Sequence, residues 1–210
     1  HFSRISCSTL QRLIILKKVF KDVVIIGAGA AGLMCAIEAG KRGRKVILVD
    51  AAHKLAEKIR ISGGGRCNFT NRYARAENFL SSNPHFCRSA LARFTPLDFI
   101  ALVEKHGIKK KEKKLGQLFC DDSSQQIIDM LQDECQAVNV EWQISSQIGQ
   151  IEYLPGNAGV QKAGHKFLLT TERNILETTS LVIATGGLSI PQIGASAFGY
   201  QVANQFNIRV

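Results

Sequence analysis

The sequence predicts an α/β fold that combines a parallel β-sheet, flanking helices and an antiparallel β-meander. Two short apolar runs, at residues 23–26 and 46–49, are rich in β-branched side chains and enclose a helix-compatible segment at 30–43, a pattern typical of a β-α-β unit. Farther along, alternating polar and apolar residues between 148 and 178 indicate short strands joined by turns. With 210 residues and 45% apolar content, the chain can form one substantial core.

The first apolar run leads directly into a Gly-x-Gly-x-x-Gly motif formed by Gly27, Gly29 and Gly32. In a strand–turn–helix unit the first glycine permits the tight turn, the second lets the backbone approach a pyrophosphate, and the third lets helix and strand pack closely. The helix then directs its free N–H groups at the phosphates. Because ordinary turns also collect small residues, the motif needs support from its surroundings.

That support comes from Asp50, which ends the second apolar run eighteen residues after Gly32. A carboxylate at this point can accept a hydrogen bond from a ribose 2′-hydroxyl and would repel a 2′-phosphate. The sequence therefore predicts a Rossmann-like domain that binds a 2′-hydroxyl adenosine, as in FAD or NAD, rather than NADP.

Three consecutive glycines, Gly63, Gly64 and Gly65, form a second unusual segment. Each glycine costs about 1 kcal/mol relative to alanine in a regular element, so stability of a helix or strand does not explain them. We interpret them as bringing backbone N–H groups close to a ligand, with Arg66 and Asn68 adding a cation and an amide. A flexible surface loop is the alternative.

A third glycine-rich segment follows a buried strand predicted at 180–185, which runs into Thr185 and Gly186. Glycines at the carboxyl ends of parallel strands gather over the same ligand crevice.

A helix is expected in two pieces at 84–107, the second capped by Thr95 with Pro96 at its first position. Its predicted apolar face consists of Leu97, Ile100, Ala101 and Val103. The other expected elements are short strands near 108 and at 117–119, a helix from Ser123 or Ser124 to Ala137, a strand at 138–144, meander strands at 148–154, 166–171 and 175–178, a turn at 155–157, and a final helix at 195–206.

The net charge of +10 could attract nucleic acid, an anionic membrane or phosphate-bearing ligands. Much of it lies in the lysine-rich run at 109–114 and in the basic N-terminal stretch. We interpret these as a solvated loop and a loosely packed tail at 1–20. No aromatic residue interleaves the lysine run, as a stacking platform for single strands requires, so nucleic acid is disfavoured as a partner.

The six cysteines have no Cys-x-x-Cys pair and indicate free thiols in a reducing compartment. No metal-binding cluster is apparent, and no apolar run approaches the ~20 residues that span a bilayer. The tail at 1–20 could equally be a transit peptide, a leader translated upstream of the natural start, or a cloning artefact. We assign no catalytic residue: Cys67 is expected to be a packed or loop thiol, since no second cysteine lies near it in sequence.

Several motifs together resemble the BaiN/YhiN-like family of FAD-dependent oxidoreductases. They are the glycine motif at 27–32, the string SGGGRCNFTN at 62–71 and the string ATGGLSIP at 184–191. The segments NPHF at 83–86 and LGQLFC at 115–120 are similar to the gamma-proteobacterial branch of that family. The resemblance runs from residue 21 to the end of the chain, and SGGGRCNFTN is its most specific part.

The resemblance implies a cytoplasmic bacterial flavoprotein with a Rossmann-like FAD/NAD(P)-binding domain at 21–206. Its cofactor would be FAD, with NAD(P)H as a possible hydride donor and an unidentified small organic molecule as substrate. By position, Ile148 would meet the adenine through its main chain, the 63–68 loop would lie on the ribityl and flavin side, and Thr185 would help close the phosphate crevice. The implied cofactor-binding residues are Gly27, Ala28, Gly29, Ala31, Gly32, Asp50, Lys58, Gly63, Gly64, Gly65, Arg66, Asn68, Ile148, Thr185 and Gly186.

Three departures from the family pattern stand out. Ala56 replaces the usual glycine before Lys58, and the segment 194–200 lacks the usual acid. The chain also ends where the family inserts a substrate domain. Two alternatives therefore stay open: a truncated, inactive fragment that cannot retain FAD and self-associates through its uncovered face, and a basic nucleic-acid-binding module.

Overall fold

A computed structural model describes residues 16–155, 166–188 and 196–210. The strands of these residues are β1 (Lys17–Ile26), β2 (Val46–Asp50), β3 (Asn68–Asn71), β4 (Lys110–Glu112), β5 (Gln117–Cys120), β6 (Glu141–Ile144), β7 (Ile148–Leu154), β8 (Lys166–Thr171) and β9 (Asn174–Ile183). The helices are α1 (Ala30–Lys41), α2 (Glu57–Ile61), α3 (Arg88–Arg93), α4 (Pro96–Lys105), α5 (Gln125–Ala137) and α6 (Phe198–Gln205).

The main sheet has six strands in the order β6-β2-β1-β9-β8-β7. Strands β6, β2, β1 and β9 run parallel to their neighbours, whereas β9, β8 and β7 form an antiparallel meander. The predicted combination of a parallel sheet and a meander is confirmed, and so is the return of β6 to the parallel sheet. A second, three-stranded antiparallel sheet has the order β3-β5-β4.

Both faces of the parallel strands are buried, which explains their continuous apolar runs. Because side chains alternate along a strand, Ile25 and Leu48 join a core with α1 and α5 on one face. Val24 and Val49 point the other way and pack with Leu169 and other meander residues. Helices α1 and α5 thus cover one face of the parallel strands, and residues of the meander and Val202 of α6 cover the other.

One continuous strand, β9, replaces the two strands predicted at 175–178 and 180–185. Its register with β1 skips one pair, at Asp22 and Thr179. There the Asp22 carbonyl accepts hydrogen bonds from the Thr178 hydroxyl at 3.0 Å and the Thr179 hydroxyl at 2.9 Å. The prediction of two separate strands was wrong. The polar residues between them bind the Asp22 carbonyl through their hydroxyl groups, so one strand continues from the meander into the parallel sheet.

Helix α4 begins as predicted, with a capping box between Thr95 and Asp98 and Pro96 in its first turn. Its predicted apolar face is only partly correct. Ile100 and Val103 are buried, whereas Leu97 is 60% exposed and Ala101 is also exposed. Only the stripe of α4 that carries Ile100 and Val103 is buried, and the helix packs against β3 of the small sheet.

Strand β1 begins at Lys17, so residues 17–20 belong to the sheet instead of to the predicted tail. Residues 1–15 lie outside the described residues, as do 156–165 and 189–195. The turn predicted at 155–157 therefore lies largely outside the described residues. The start predicted for the last helix, at 195, was too early, since residues 196 and 197 are described and not helical. The described part of that helix, α6, begins at Phe198.

The hydroxyl contact between β9 and Asp22 gives a test of the fold. Thr178→Val keeps the side-chain shape but removes the hydroxyl that binds the Asp22 carbonyl, so we expect a loss of about 1 kcal/mol in the free energy of unfolding. Urea denaturation measures it. Thr170→Val, at an exposed β8 position, should stay within about 0.5 kcal/mol of the unmodified chain. Equal stabilities of the two variants would contradict the role of the hydroxyl.

Candidate functional site

A cavity of about 480 Å³ lies at the carboxyl ends of β1, β2 and β9, the edge where α/β sheets bind ligands. Three sequence segments meet there: the glycine motif with the start of α1, the residues that follow β2, and the residues that follow β9. The cavity is lined by Gly27, Gly29, Ala30, Ala31, Asp50, Ala51, Ala52, Lys54, Ala56, Glu57, Lys58, Ile59, Ala184, Thr185 and Gly186.

Two glycines of the motif are required by close packing. Gly27 has a φ of 110°, and a Cβ atom there would lie 2.5 Å from the Ala184 carbonyl oxygen. A Cβ atom on Gly32 would overlap the Gly27 carbonyl oxygen, far inside van der Waals contact. The end of β1, the end of β9 and the first turn of α1 therefore touch backbone to backbone.

Gly29 differs from these two glycines because it faces open space. No heavy atom lies within 4 Å of a Cβ atom built there. Gly29 is the N-cap of α1, no side chain caps this helix, and its first turn contains no acidic residue. The positive end of the α1 dipole is thus presented to the cavity, an arrangement that suits an anionic group such as a diphosphate.

Asp50 is fixed at the cavity wall by two backbone hydrogen bonds. Its Oδ2 accepts the N–H of Ala28 at 2.5 Å, and its Oδ1 accepts the N–H of Ala52 at 2.8 Å. Asp50 and the glycine turn are therefore adjacent, as the sequence predicts. Because each carboxylate oxygen has a further lone pair, the side chain can still accept a hydrogen bond from a sugar hydroxyl.

Lys58 connects the two glycine-rich walls of the cavity. It lies on α2, and its Nζ donates to the Gly187 carbonyl at 3.1 Å. The preceding turn contains Ala56, which is buried and has a φ of 55°. This left-handed backbone favours glycine, which explains why glycine is the residue expected here and makes Ala56 a strained position. The Ala56 N–H donates to the Ala28 carbonyl at 3.1 Å, which ties the turn to the glycine motif.

The Thr185 hydroxyl is buried and has no hydrogen-bond partner among the described residues. A buried polar atom without a partner costs free energy, so such an atom beside a cavity points to a group that the protein is built to receive. With the open helix end and the nearby carboxylate, this fits a ligand rich in phosphate and hydroxyl oxygens. The donor and acceptor set is appropriate for the pyrophosphate and ribose of an adenine dinucleotide.

The triple-glycine loop lies beside the cavity but does not line it. Gly63, Gly64 and Gly65 all have positive φ, between 61° and 81°, which a run of other residues would not adopt. The Gly65 carbonyl accepts the Ser124 N–H at 2.7 Å, which fixes the loop against the start of α5. Arg66, next in the chain, is exposed.

A smaller cavity of about 210 Å³ joins this loop to the main site. Asn68 and Cys67 line it, and it shares Ala30, Lys58 and Ile59 with the large cavity. The predicted residues thus form two adjoining groups: the glycine-motif residues around the large cavity, and Asn68 around the smaller one.

Ile148 lies apart from both cavities. It is half-buried at the start of β7, two residues after Ser146, whose N–H donates to the Asp50 carbonyl at 3.0 Å. The implied contact of its main chain with an adenine stays a prediction. Sequence reasoning missed the backbone of Ala184 and the side chains of Lys54 and Glu57, which also line the large cavity. The position of 184 at the end of a buried strand was the available signal.

The buried thiols are poor nucleophiles. Burial raises the pKa of Cys67, and it raises the pKa of Cys120 to about 11, where the neighbouring Cys67 adds to the shift. Burial also raises the pKa of Cys135 to about 12. These thiols are therefore almost fully protonated at neutral pH. Cys67 accordingly has the properties of a packed thiol.

The described ranges contain neither a metal site nor a membrane-spanning helix. No group of histidine, cysteine, aspartate or glutamate in them is arranged to hold a metal ion. No helix in the same ranges combines the length and apolar character needed to cross a bilayer.

The glycine motif gives a matched pair of stability predictions. Gly32→Ala should destabilise the chain by more than about 3 kcal/mol, because the new methyl group meets rigid backbone. Gly29→Ala should cost about 1 kcal/mol or less, because its methyl group enters open space. Chemical denaturation of both variants tests the packing. A Gly32→Ala variant as stable as Gly29→Ala would show that the backbone contact is absent.

The thiol pKa shifts predict slow alkylation. A raised pKa lowers the thiolate fraction at every pH below it, so at about pH 8 Cys120 should react with iodoacetamide about 100-fold more slowly in the folded chain than in denaturing urea. Its folded-state rate should rise about tenfold per pH unit until the pH approaches 11. Peptide mass spectrometry measures each site. Equal folded and unfolded rates would contradict burial of this thiol.

Comparisons with known proteins agree with this geometry. The chain is 53% identical over 189 residues to a ribosomal RNA dihydrouridine synthase of Escherichia coli (strain K12), a match that covers 90% of this chain and 45% of that protein. It is 45% identical over 191 residues to a protein of the same name from Haemophilus influenzae, covering 91% of this chain and 46% of the relative. The chain thus spans about half the length of the curated relatives it matches.

Among solved structures, the open form of a flavocytochrome c3 fumarate reductase superposes with a TM-score of 0.57. The sequence identity is 19%, over 89% of this chain and 40% of the other, so this similarity speaks for the fold alone. A family model described as the HI0933-like protein Rossmann domain matches residues 21–210. The chain therefore belongs to the HI0933-like family of FAD-dependent oxidoreductases, and these residues are its Rossmann domain.

Proposed function

We propose that this chain is the FAD-binding part of a bacterial cytoplasmic enzyme that reduces uridine in ribosomal RNA to dihydrouridine. The family membership supports a flavin-dependent oxidoreductase. The substrate is proposed from the names of the two relatives with 53% and 45% identity. In this proposal the RNA base takes the place of the small organic substrate expected from the sequence.

The observation that carries the proposal is the open, uncapped start of α1 beside Asp50. Gly29 leaves space for a diphosphate to reach the backbone, and the α1 dipole favours its negative charge. The Asp50 carboxylate is positioned to accept a ribose hydroxyl, as in the 2′-hydroxyl adenosine of FAD. Thr185 has a free hydroxyl on the β9 side of the same crevice.

The chemistry proposed for the substrate is the saturation of the C5–C6 double bond of uracil, which requires one hydride and one proton. When bound, FAD supplies the hydride, after reduction by a nicotinamide nucleotide. The residues of this chain bind and orient the cofactor. We assign the proton to no residue here. Burial raises the pKa of Cys67, which keeps this thiol protonated and makes it a weak acid where it lines the smaller cavity.

Flavin binding tests the cofactor assignment. The purified chain should bind FAD with visible flavin absorbance, and Gly29→Ala should weaken this binding at least about tenfold, because its methyl group occupies the space for the diphosphate. Gly43→Ala is a control away from the site, since Gly43 also faces open space but lies after α1, at the opposite edge of the sheet. Its φ of 70° makes alanine cost about 1 kcal/mol of stability there, but FAD affinity should be unchanged. A colourless chain that takes up no added FAD would favour the alternative of a fragment unable to retain the cofactor.

The substrate is tested separately, with ribosomal RNA that lacks dihydrouridine. Incubation with the FAD-loaded protein and either NADH or NADPH should produce dihydrouridine, detected by mass spectrometry of nuclease digests. Nicotinamide oxidation without any dihydrouridine would overturn the RNA substrate while leaving the flavoprotein assignment in place, and small organic acceptors would then be the next candidates.

A further inference from the structure

The positive charge of this chain is concentrated in one quarter of it. Residues 66–118 contain eleven Lys and Arg and four Asp and Glu, which gives +7 of the total formal charge of +10. These residues form the small sheet of β3, β5 and β4 with helices α3 and α4. The cavity for the dinucleotide is different, because its charged lining consists of two acids and two lysines.

Folding places an aromatic ring beside the lysine run. The Arg72 N–H donates to the Gly116 carbonyl at 2.9 Å, and the Asn71 Nδ2 donates to the Leu115 carbonyl at 2.9 Å. The ring of Tyr73 therefore packs over Gly116, where a Cβ atom would lie 2.5 Å from it. Tyr73 is 66% exposed, so its other face is open to solvent.

A groove begins at this ring. Arg72, Tyr73, Arg75 and Asn78, with the intervening Ala74, line a polar depression of about 560 Å³. The Arg75 side chain is 76% exposed, and its contact with Glu77 is long, at 4.0 Å. The Arg72 guanidinium is paired with Glu112, to which its Nε and Nη2 donate at 3.3 and 3.2 Å. The groove thus offers this paired guanidinium group, the exposed guanidinium group of Arg75, one amide and one aromatic face within a short stretch of chain.

The tip of the β4–β5 hairpin extends this surface. Lys114 is exposed and has no acidic partner in the described ranges. Leu115 beside it is 86% exposed and has a φ of 59°, an unfavourable conformation for a branched side chain. Such strain persists only where the surroundings impose it, and it concentrates at functional surfaces.

The groove is joined to the cofactor side of the domain by a single short strand. β3 runs from Asn68, which lines the smaller cavity, to Asn71, which directly precedes Arg72. Four strand residues at about 3.3 Å each span about 13 Å. An extended chain bound in the groove could therefore reach the cavity side within a few nucleotides.

We propose that the hairpin groove, defined as Arg72, Tyr73, Arg75, Asn78 and Lys114, binds a single-stranded RNA segment next to the uridine that is reduced. The inference rests on the proposed RNA substrate and adds where that RNA docks. Tyr73 stacks on an unpaired base, and Arg75 and Lys114 contact phosphates, while Glu112 holds Arg72 beside them.

The chemistry of the groove favours a single strand over a duplex. A base can stack on Tyr73 only when it is unpaired, and aromatic stacking is the usual way proteins hold single strands. A guanidinium group binds phosphate through paired N–H donors. The lysine run, which contains no aromatic residue of its own, thus gains a stacking residue in Tyr73, which follows β3.

The test measures binding of a fluorescein-labelled single-stranded RNA of about 12 nucleotides to the 210-residue chain by anisotropy, over a series of salt concentrations. Tyr73→Ala should weaken binding about tenfold with an unchanged salt slope, and Tyr73→Phe should restore it. Arg75→Ala and Lys114→Ala should each reduce the slope of log K against log salt by about 0.7.

Arg44→Ala is the matched control. Arg44 is exposed between α1 and β2, at the edge of the sheet opposite the cavity, and has no ion-pair partner among the described residues. It should leave the RNA affinity unchanged. Any of three results would overturn the proposed binding role of the groove. They are equal effects of Arg44→Ala and Arg75→Ala, an unchanged RNA affinity of Tyr73→Ala, and equally tight binding of duplex RNA.

The two proposals fail in distinguishable ways. Tyr73→Ala and Arg75→Ala could form dihydrouridine at an undiminished rate and bind RNA with unchanged affinity. This result would overturn the RNA-binding role of the groove but not the enzyme function. RNA binding that depends on the groove, in a protein that binds FAD but forms no dihydrouridine, would overturn the function and keep the binding surface. FAD affinity should be the same in all these variants and shows that they are folded.

Discussion

The fold depends on the backbone contact between Gly27, Gly32 and Ala184. The ends of β1 and β9 and the first turn of α1 meet there without room for a side chain. Because the contact is made by main-chain atoms, it fixes the direction of α1 relative to the sheet more tightly than side-chain packing would. Gly29, two residues after Gly27, is the N-cap of α1 and faces open space, so the positive end of the helix dipole is exposed to solvent there.

Asp50 extends this constraint to the second strand. Its two hydrogen bonds, to Ala28 and Ala52, hold the turn after β1 and the turn after β2 in a fixed relation. The carboxylate therefore has a structural role as well as the proposed recognition role. On the far side of the sheet the meander covers the alternate face of β1 and β2, so the strands that carry the site are buried on both faces. A site held in this way is preorganised for its ligand.

The sequence predicted those parts that depend on local patterns. The β-α-β unit, the position of Asp50, the cap at Thr95 and the meander all follow from residues close together in the chain. Prediction from the sequence failed where contacts between residues far apart in the chain decide the structure. The unbroken course of β9 depends on hydroxyl bonds from Thr178 to Asp22, 156 residues away, and the packing of Tyr73 on Gly116 joins segments that no period or motif relates. The side of α4 that faces solvent likewise follows from its place in the fold.

The cavity and the hairpin groove would recognise phosphate by different means, and this difference has a consequence. The cavity offers a helix dipole and backbone geometry beside a carboxylate, with a charged lining that is balanced. The groove offers full positive charges, in a segment with a net charge of +7. An RNA polyanion gains most from full charges and counterion release, and is repelled by Asp50. It would therefore be drawn to the groove without competing for the crevice proposed for the dinucleotide, so that both ligands could be held at once by neighbouring parts of one domain.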